Sequence, residues 1–144
     1  MPAKRIAIDA WEALFRTQVS ILRDINAEFP SEQLTIVEYD VLFNLSKLPA
    51  RSARPRDLTP LLLLSQPSVS RMIDRLVERG LVTKRPDPED GRGIVVTLTE
   101  AGHELFRRVA AIHSTAIAKR FGDRLSDEEL AQLIDLCDRL RGEP

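Results

Sequence analysis

Apolar residues recur at helical spacing over the first 29 positions. Ile8, Trp11, Phe15, Leu22, Ile25 and Phe29 form one stripe, with Gln18 as the polar interruption. Leu14 and Ile21 add a second apolar flank. A stripe this wide exceeds what one small domain covers, so the helix is expected to meet a partner chain as well. A second helix is predicted from Thr35. Thr35 and Glu38 have capping-box spacing, in which the hydroxyl accepts the N3 amide and the carboxylate accepts the cap amide. Its apolar face is Ile36, Tyr39, Leu42, Phe43 and Leu45. Leu48-Pro49 ends it, because the residue before proline is driven out of the helical region.

Two short helical segments follow. The first runs from about Pro55, which suits a first helical position, to Leu63. Pro60 falls inside it. A proline there deletes the amide that would bond Arg56 and costs about 3 kcal/mol in a regular helix. The alternative is a shorter helix that starts at Pro60 and is capped by Thr59. Ser65 is the expected N-cap of the second segment, Gln66 to Arg79, which Gly80 closes. In that segment Val69, Met72, Ile73, Leu76 and Val77 share one face, and Pro67, Ser68, Arg71, Asp74, Arg75 and Glu78 share the other.

Beyond Gly80 the period changes to two. Leu81 to Arg85 and Ile94 to Leu98 read as strands. Residues 86–93 hold two prolines, an Asp-Gly and a second glycine, which makes them a hairpin loop. Thr99 is expected to cap a helix through about Arg120, with Leu105, Val109, Ile112 and Ala116 on one face. Ser126 and Glu129 form a second capping box. Leu130, Leu133, Ile134, Cys137 and Leu140 line the last helix, and Gly142 sits just past its end. The predicted fold is mainly α with a small two- or three-stranded antiparallel wing, a winged helix-turn-helix between terminal helices. The expected organisation is an N-terminal dimerisation helix (1–34), a winged domain (35–98) and C-terminal dimerisation helices (99–144).

Charge sharpens this picture. The 144 residues carry 21 Lys and Arg against 22 Asp and Glu, a net −1, which excludes a uniformly basic nucleic-acid coat. Residues 51–85 nonetheless hold eight basic and three acidic side chains, a net +5, which leaves −6 for the rest. A basic centre on an acidic body points to a polyanion-facing surface. At 43% apolar and 30% charged the composition suits a folded core. No apolar run approaches the roughly 18 residues of a membrane span, and no secretory signal opens the chain, so a cytoplasmic protein without membrane contact is expected. One cysteine and two histidines exclude a disulfide framework and leave little for metal chemistry; no metal or cofactor is expected.

The central residues resemble a known family. Leu76-Val77-Glu78-Arg79-Gly80-Leu81-Val82, then Arg85-Pro86-Asp87-Pro88-Glu89-Asp90-Gly91-Arg92, then Leu98-Thr99-Glu100-Ala101-Gly102 is similar to the core signature of the MarR family of bacterial transcription regulators. The likeness extends to Ser68-Val69-Ser70-Arg71 and Tyr39-Asp40-Val41-Leu42. It implies a homodimer with interlocked terminal helices, reading a pseudo-palindromic site in double-stranded DNA. It also implies a phosphate contact for Ser70, and a small aromatic or lipophilic effector in a pocket between the dimer helices and the winged domain; Trp11, Phe15 and Tyr39 are candidate lining residues, the alternative being that they are plain core.

The DNA-facing chemistry is read from the residues. The second helix of such a motif enters the major groove with its first turns at the base edges. Gln66, Pro67, Ser68, Arg71 and Arg75 lie on the outward side. Gln pairs with adenine and Arg with guanine, each worth about 1–3 kcal/mol of discrimination. The competing reading pairs Arg71 and Arg75 with Asp74 or Glu78. Lys84 and Arg85 at the wing base are expected on phosphates. Arg92 at a glycine-flexed tip is expected in the minor groove, with Asp90 either orienting Arg92 or capping the loop. An enzyme is not expected, because there is no phosphate loop, Gly-x-Ser-x-Gly or His-Glu-x-x-His. The reading adopted is a repressor released by an effector. The alternatives are a winged-helix interaction module without DNA binding and a redox-responsive regulator using Cys137.

Overall fold

The computed structural model describes residues 2–63 and 68–143. The expected cap at Ser65 and the base-reading candidates Gln66 and Pro67 lie outside the described residues. Among the described residues, six α-helices and a three-stranded sheet appear in the order α1 (Pro2–Glu28), α2 (Ile36–Lys47), β1 (Ser52–Ala53), α3 (Pro55–Leu58), α4 (Val69–Glu78), β2 (Val82–Pro86), β3 (Ile94–Leu98), α5 (Glu100–Gly122) and α6 (Asp127–Arg141). Two compact units emerge, one of residues 1–28 with 112–144 and one of residues 29–111. No helix among the described residues is long and apolar enough to cross a membrane.

Both predicted capping boxes form. Thr35 and Ser126 each accept the N3 amide, and Glu38 and Glu129 each return a carboxylate to the cap amide. α2 stops at Leu48, extended before Pro49 as expected. At the end of α4, Gly80 takes φ +73, a left-handed conformation that favours glycine. Its amide donates to the Val77 carbonyl at 2.9 Å, and the Leu81 amide to the Leu76 carbonyl at 3.0 Å.

Two elements differ from expectation, and the wing takes the three-stranded form of the two expected. α4 begins at Val69 with Ser68 as its N-cap, whose hydroxyl accepts the Arg71 amide at 3.2 Å. The segment after Arg54 is α-helical only to Leu58 and then tightens to a single 3-10 turn over Thr59–Leu61. The cause is Pro60, which has no N–H for the Arg56 carbonyl. Thr59 does not cap a new helix; its hydroxyl donates back to the Pro55 carbonyl at 2.8 Å. The third wing strand is Ser52–Ala53, reached through a 3-10 turn in which Ala50 and Arg51 take φ 55 and 50. The sheet order is β1-β3-β2, all antiparallel, with Ser52 opposite Thr97 and Lys84 opposite Val96.

The core of the central unit gathers one face of α2, Leu58 of α3, the inner face of α4, and the sheet. Val41, Leu42, Leu45, Leu58, Met72, Ile73, Leu76, Val82, Val96 and Val109 are essentially sealed from solvent. Val77, expected inward, is 36% exposed, because it sits at the edge of the Met72–Ile73–Leu76 arc rather than within it. Beside this core an aromatic cluster joins Phe29, Tyr39, Phe43 and Phe106, with centroids 5.4–6.2 Å apart. His103 is half-buried in the first turn of α5, its ring centroid 6.3 Å from that of Phe106.

The other unit is built differently. Neither α1 nor α6 contains a buried residue. Trp11 is 64% exposed and, with Ile8, Leu14, Phe15 and Val19, leaves a broad apolar face open on α1. Ile134, Leu136 and Leu140 do the same on α6. Arg120 of α5 pairs with Asp24 of α1.

Candidate nucleic-acid interface

α4 positions the motif's polar side chains by burying the opposite arc. With Met72, Ile73 and Leu76 fixed in the core, a 100° rotation per residue turns Ser70, Arg71, Asp74, Arg75 and Glu78 to the surface, and all five are exposed. Among the described residues no ion pair engages Arg71 or Arg75. The alternative partner Asp74 is taken instead by Lys84 of β2, at 2.8 Å. Arg85 and Arg92 are exposed as well.

The wing tip is held by a small hydrogen-bonded system. Asp90 accepts the Arg92 amide through Oδ1 at 3.1 Å, and its carbonyl accepts the Gly93 amide at 2.9 Å. Asp90 therefore caps the loop through the backbone and leaves the Arg92 guanidinium outward. Asp87, to which the sequence pattern gives no role, anchors the whole loop. Its side chain is 2% exposed. Its amide donates to the Gly93 carbonyl at 3.0 Å, and Oδ1 accepts the Glu89 amide at 2.9 Å. Oδ2 is met by charge rather than by an aligned hydrogen bond, with Arg54 Nε 2.6 Å away. Arg54 reaches Glu89 too, at 3.0 Å. Since Arg54 is the residue that opens α3, this pair ties the wing to the first helix of the motif.

A second anchor sits at Leu63, just past the 3-10 turn that follows α3. The buried carboxylate of Asp40 accepts the Leu63 backbone amide at 2.8 Å through Oδ2 and the Asn44 side-chain amide at 3.1 Å through Oδ1. Leu63 itself is 83% exposed. Neither anchor is periodic or local in the chain, since Arg54 and Glu89 stand 35 residues apart and Asp40 and Leu63 stand 23 apart. The sequence signal for Arg54 and Arg56 was only their share of the central basic charge.

The Glu89 amide and the Arg54 guanidinium hold the Asp87 carboxyl below the usual carboxylate range, against the opposing effect of burial. A carboxyl whose pKa falls on folding contributes stability above its unfolded value, about 3.9, and loses it as pH drops through the folded one. Asp87→Asn is expected to flatten the acid limb of the thermal midpoint against pH below about pH 4. Superimposable acid limbs for parent and variant contradict the assignment.

These pieces converge. A cleft of about 430 Å³ is lined by Arg54, Arg56, Ser70, Asp87, Asp90 and Arg92, among others. The start of α3, the first turn of α4 and the wing tip thus share one concave, arginine-rich surface. The remaining candidates lie elsewhere. Trp11 and Phe15 pack against each other on α1, with ring centroids 5.7 Å apart, while Tyr39 belongs to the aromatic cluster of the central unit, where burial pushes its hydroxyl up. Cys137 is half-buried on α6.

Comparison with known proteins gives a consistent set of likenesses. The profile of the MarR family matches residues 32–93. The HTH-type transcriptional regulator YpoP of Bacillus subtilis is 30% identical over 129 residues, 90% of this chain and 89% of that protein. YkoM of the same organism is 37% identical over 78 residues, and there the match spans about half of each protein, 54% of this chain and 50% of YkoM. Among solved structures, Sco3205 of Streptomyces coelicolor, a MarR family transcriptional regulator in complex with DNA, aligns with a TM-score of 0.75 at 25% identity, covering 90% of this chain and 84% of that one.

Proposed function

The chain belongs to the MarR family of transcriptional regulators, and from that premise we propose that it is a sequence-specific DNA-binding repressor, a cytoplasmic homodimer on a pseudo-palindromic operator, released by a small aromatic or lipophilic effector. The observation that carries this reading is the shared cleft. It sets Ser70, at the start of an exposed Arg71–Arg75 face, beside Arg92 of the wing, so recognition helix and wing address one ligand from adjacent sides. A duplex offers such a surface a major groove for the helix and a minor groove for the wing.

Each residue then has a role set by its reach. Arg71 and Arg75 read base edges, together with Gln66 and Pro67 just upstream; Ser68 caps the helix and orients its first turn. Ser70, Lys84 and Arg85 meet phosphates. Arg92 enters the minor groove from a tip that Asp90 holds in shape. The homodimer is supported by the open apolar faces of α1 and α6, since contiguous exposed apolar patches mark interaction sites. For the effector, the exposed Trp11–Phe15 pair and Tyr39 supply aromatic surface.

Selection of bound duplexes from a random pool, with sedimentation of the resulting complex, tests the reading. The expected outcome is an enriched inverted repeat with half-sites one helical turn apart, about 10–10.5 bp, carrying two chains. Aromatic acids are expected to compete the complex apart. No enrichment, or one chain per duplex, contradicts it.

A further inference from the structure

The exposed face of α4 carries a feature that base reading does not use. Asp74 lies between Arg71 and Arg75 on that face, and its Oδ1 accepts a hydrogen bond from Lys84 Nζ at 2.8 Å. The Asp74 side chain is 58% exposed and the Lys84 side chain 39%. One cation of the proposed phosphate-binding set is therefore neutralised from within. The neutralising group also stands on the very surface that faces the groove, where phosphates repel it. We propose that Asp74 is a negative determinant of DNA affinity: it holds Lys84 away from phosphates in the free protein and in loose complexes, and so raises the operator's advantage over other DNA. This inference rests on the DNA-binding reading above.

The physics follows from the exposure of the pair. An exposed ion pair is weak and screened by salt, so it opens readily when a phosphate is presented in register. At the operator, base contacts fix that register, and Lys84 transfers from Asp74 to a phosphate. On random duplex no such register exists, and Lys84 stays paired. Binding to random DNA is almost entirely counterion release, with a slope of about −0.9 per phosphate neutralised. Withholding one cation lowers that affinity by roughly five- to tenfold near 0.1 M salt, while the operator loses less. Discrimination therefore rises without any further base contact.

Four proteins decide the matter: the parent, Asp74→Asn, Lys84→Gln, and the double variant. Each is titrated across a salt series against a random 20-bp duplex and against the duplex enriched by selection. Asp74→Asn is expected to bind random duplex about five- to tenfold tighter, to steepen the salt slope by about one, and to lower the enriched-to-random ratio. In the Lys84→Gln background the same substitution is expected to gain little. A parent that binds while Asp74→Asn gains nothing overturns this inference alone. A gain that persists undiminished in the double variant also overturns it, since the carboxylate then acts by repulsion and not through Lys84. So does a loss confined to the enriched duplex, which would make Asp74 a reader of a base amine such as cytosine N4. A parent that binds no duplex contradicts the DNA-binding reading, and this inference with it.

Discussion

Replacing Gly102 with alanine is expected to cost the central unit at least about 3 kcal/mol. Gly102 lies in the first turn of α5, and its amide donates to the Thr99 hydroxyl at 3.0 Å. Thr99 also donates its hydroxyl to the Gly80 carbonyl at 2.7 Å and its amide to the Leu81 carbonyl at 3.1 Å. The start of α5 is thereby drawn onto the backbone that follows α4. A Cβ on Gly102 would lie 2.9 Å from the Leu81 carbonyl carbon, nearer still to its oxygen, and 2.9 Å from Leu98 Cδ1. The leucine methyl can move; the carbonyl is backbone in a turn already shaped by Gly80 at φ +73. Alanine gains about 1 kcal/mol of intrinsic helix preference over glycine, too little to offset the collision. In a unit of this size the net loss lowers the thermal midpoint by more than about 10 °C. A Gly102→Ala protein that melts within about 2 °C of the parent contradicts this packing.

Removing either recognition arginine is expected to act on binding and leave the fold intact. Arg71 and Arg75 are exposed and unpaired among the described residues, so Arg71→Ala and Arg75→Ala change stability by no more than about 0.5 kcal/mol. A bidentate contact to guanine is worth about 1–3 kcal/mol against the wrong base. Each variant is therefore expected to lose about 5- to 150-fold on the selected duplex and far less on a random one. Fluorescence anisotropy titrations on the two duplexes measure both. Equal losses reassign the arginines to phosphates, with a salt slope reduced by about one.

Local signals in the chain survive folding well. The pairs Thr35/Glu38 and Ser126/Glu129, the stop at Gly80, and the alternation in Ile94–Leu98 are each complete within a few residues, and all appear in the structure. The failures are of two kinds. At α4, Ser65 and Ser68 both have the chemistry of a cap, and Ser68 serves for the helix that starts at Val69. The other kind is pairing across the chain. Ser52–Ala53 has no alternation to announce it and becomes a strand because β3 supplies the partner edge, Ser52 Oγ meeting Thr97 Oγ1 at 2.8 Å. The Arg54–Asp87 tether is equally silent in sequence, because neither residue is periodic and each acquires its partner only through the fold. Charge density over residues 51–85 marks the surface proposed to meet DNA, and the structure divides those cations. Arg54 holds the wing, Lys84 is paired with Asp74, and Arg71, Arg75 and Arg92 face outward.

The ratio of affinities for the selected and the random duplex, measured at one fixed salt concentration, tests the central claim most directly. A regulator that reads bases through α4 and shape through its wing is expected to favour the selected duplex by at least about 10³. A ratio near one would leave a surface that merely attracts polyanions, and would contradict sequence-specific DNA recognition by this chain.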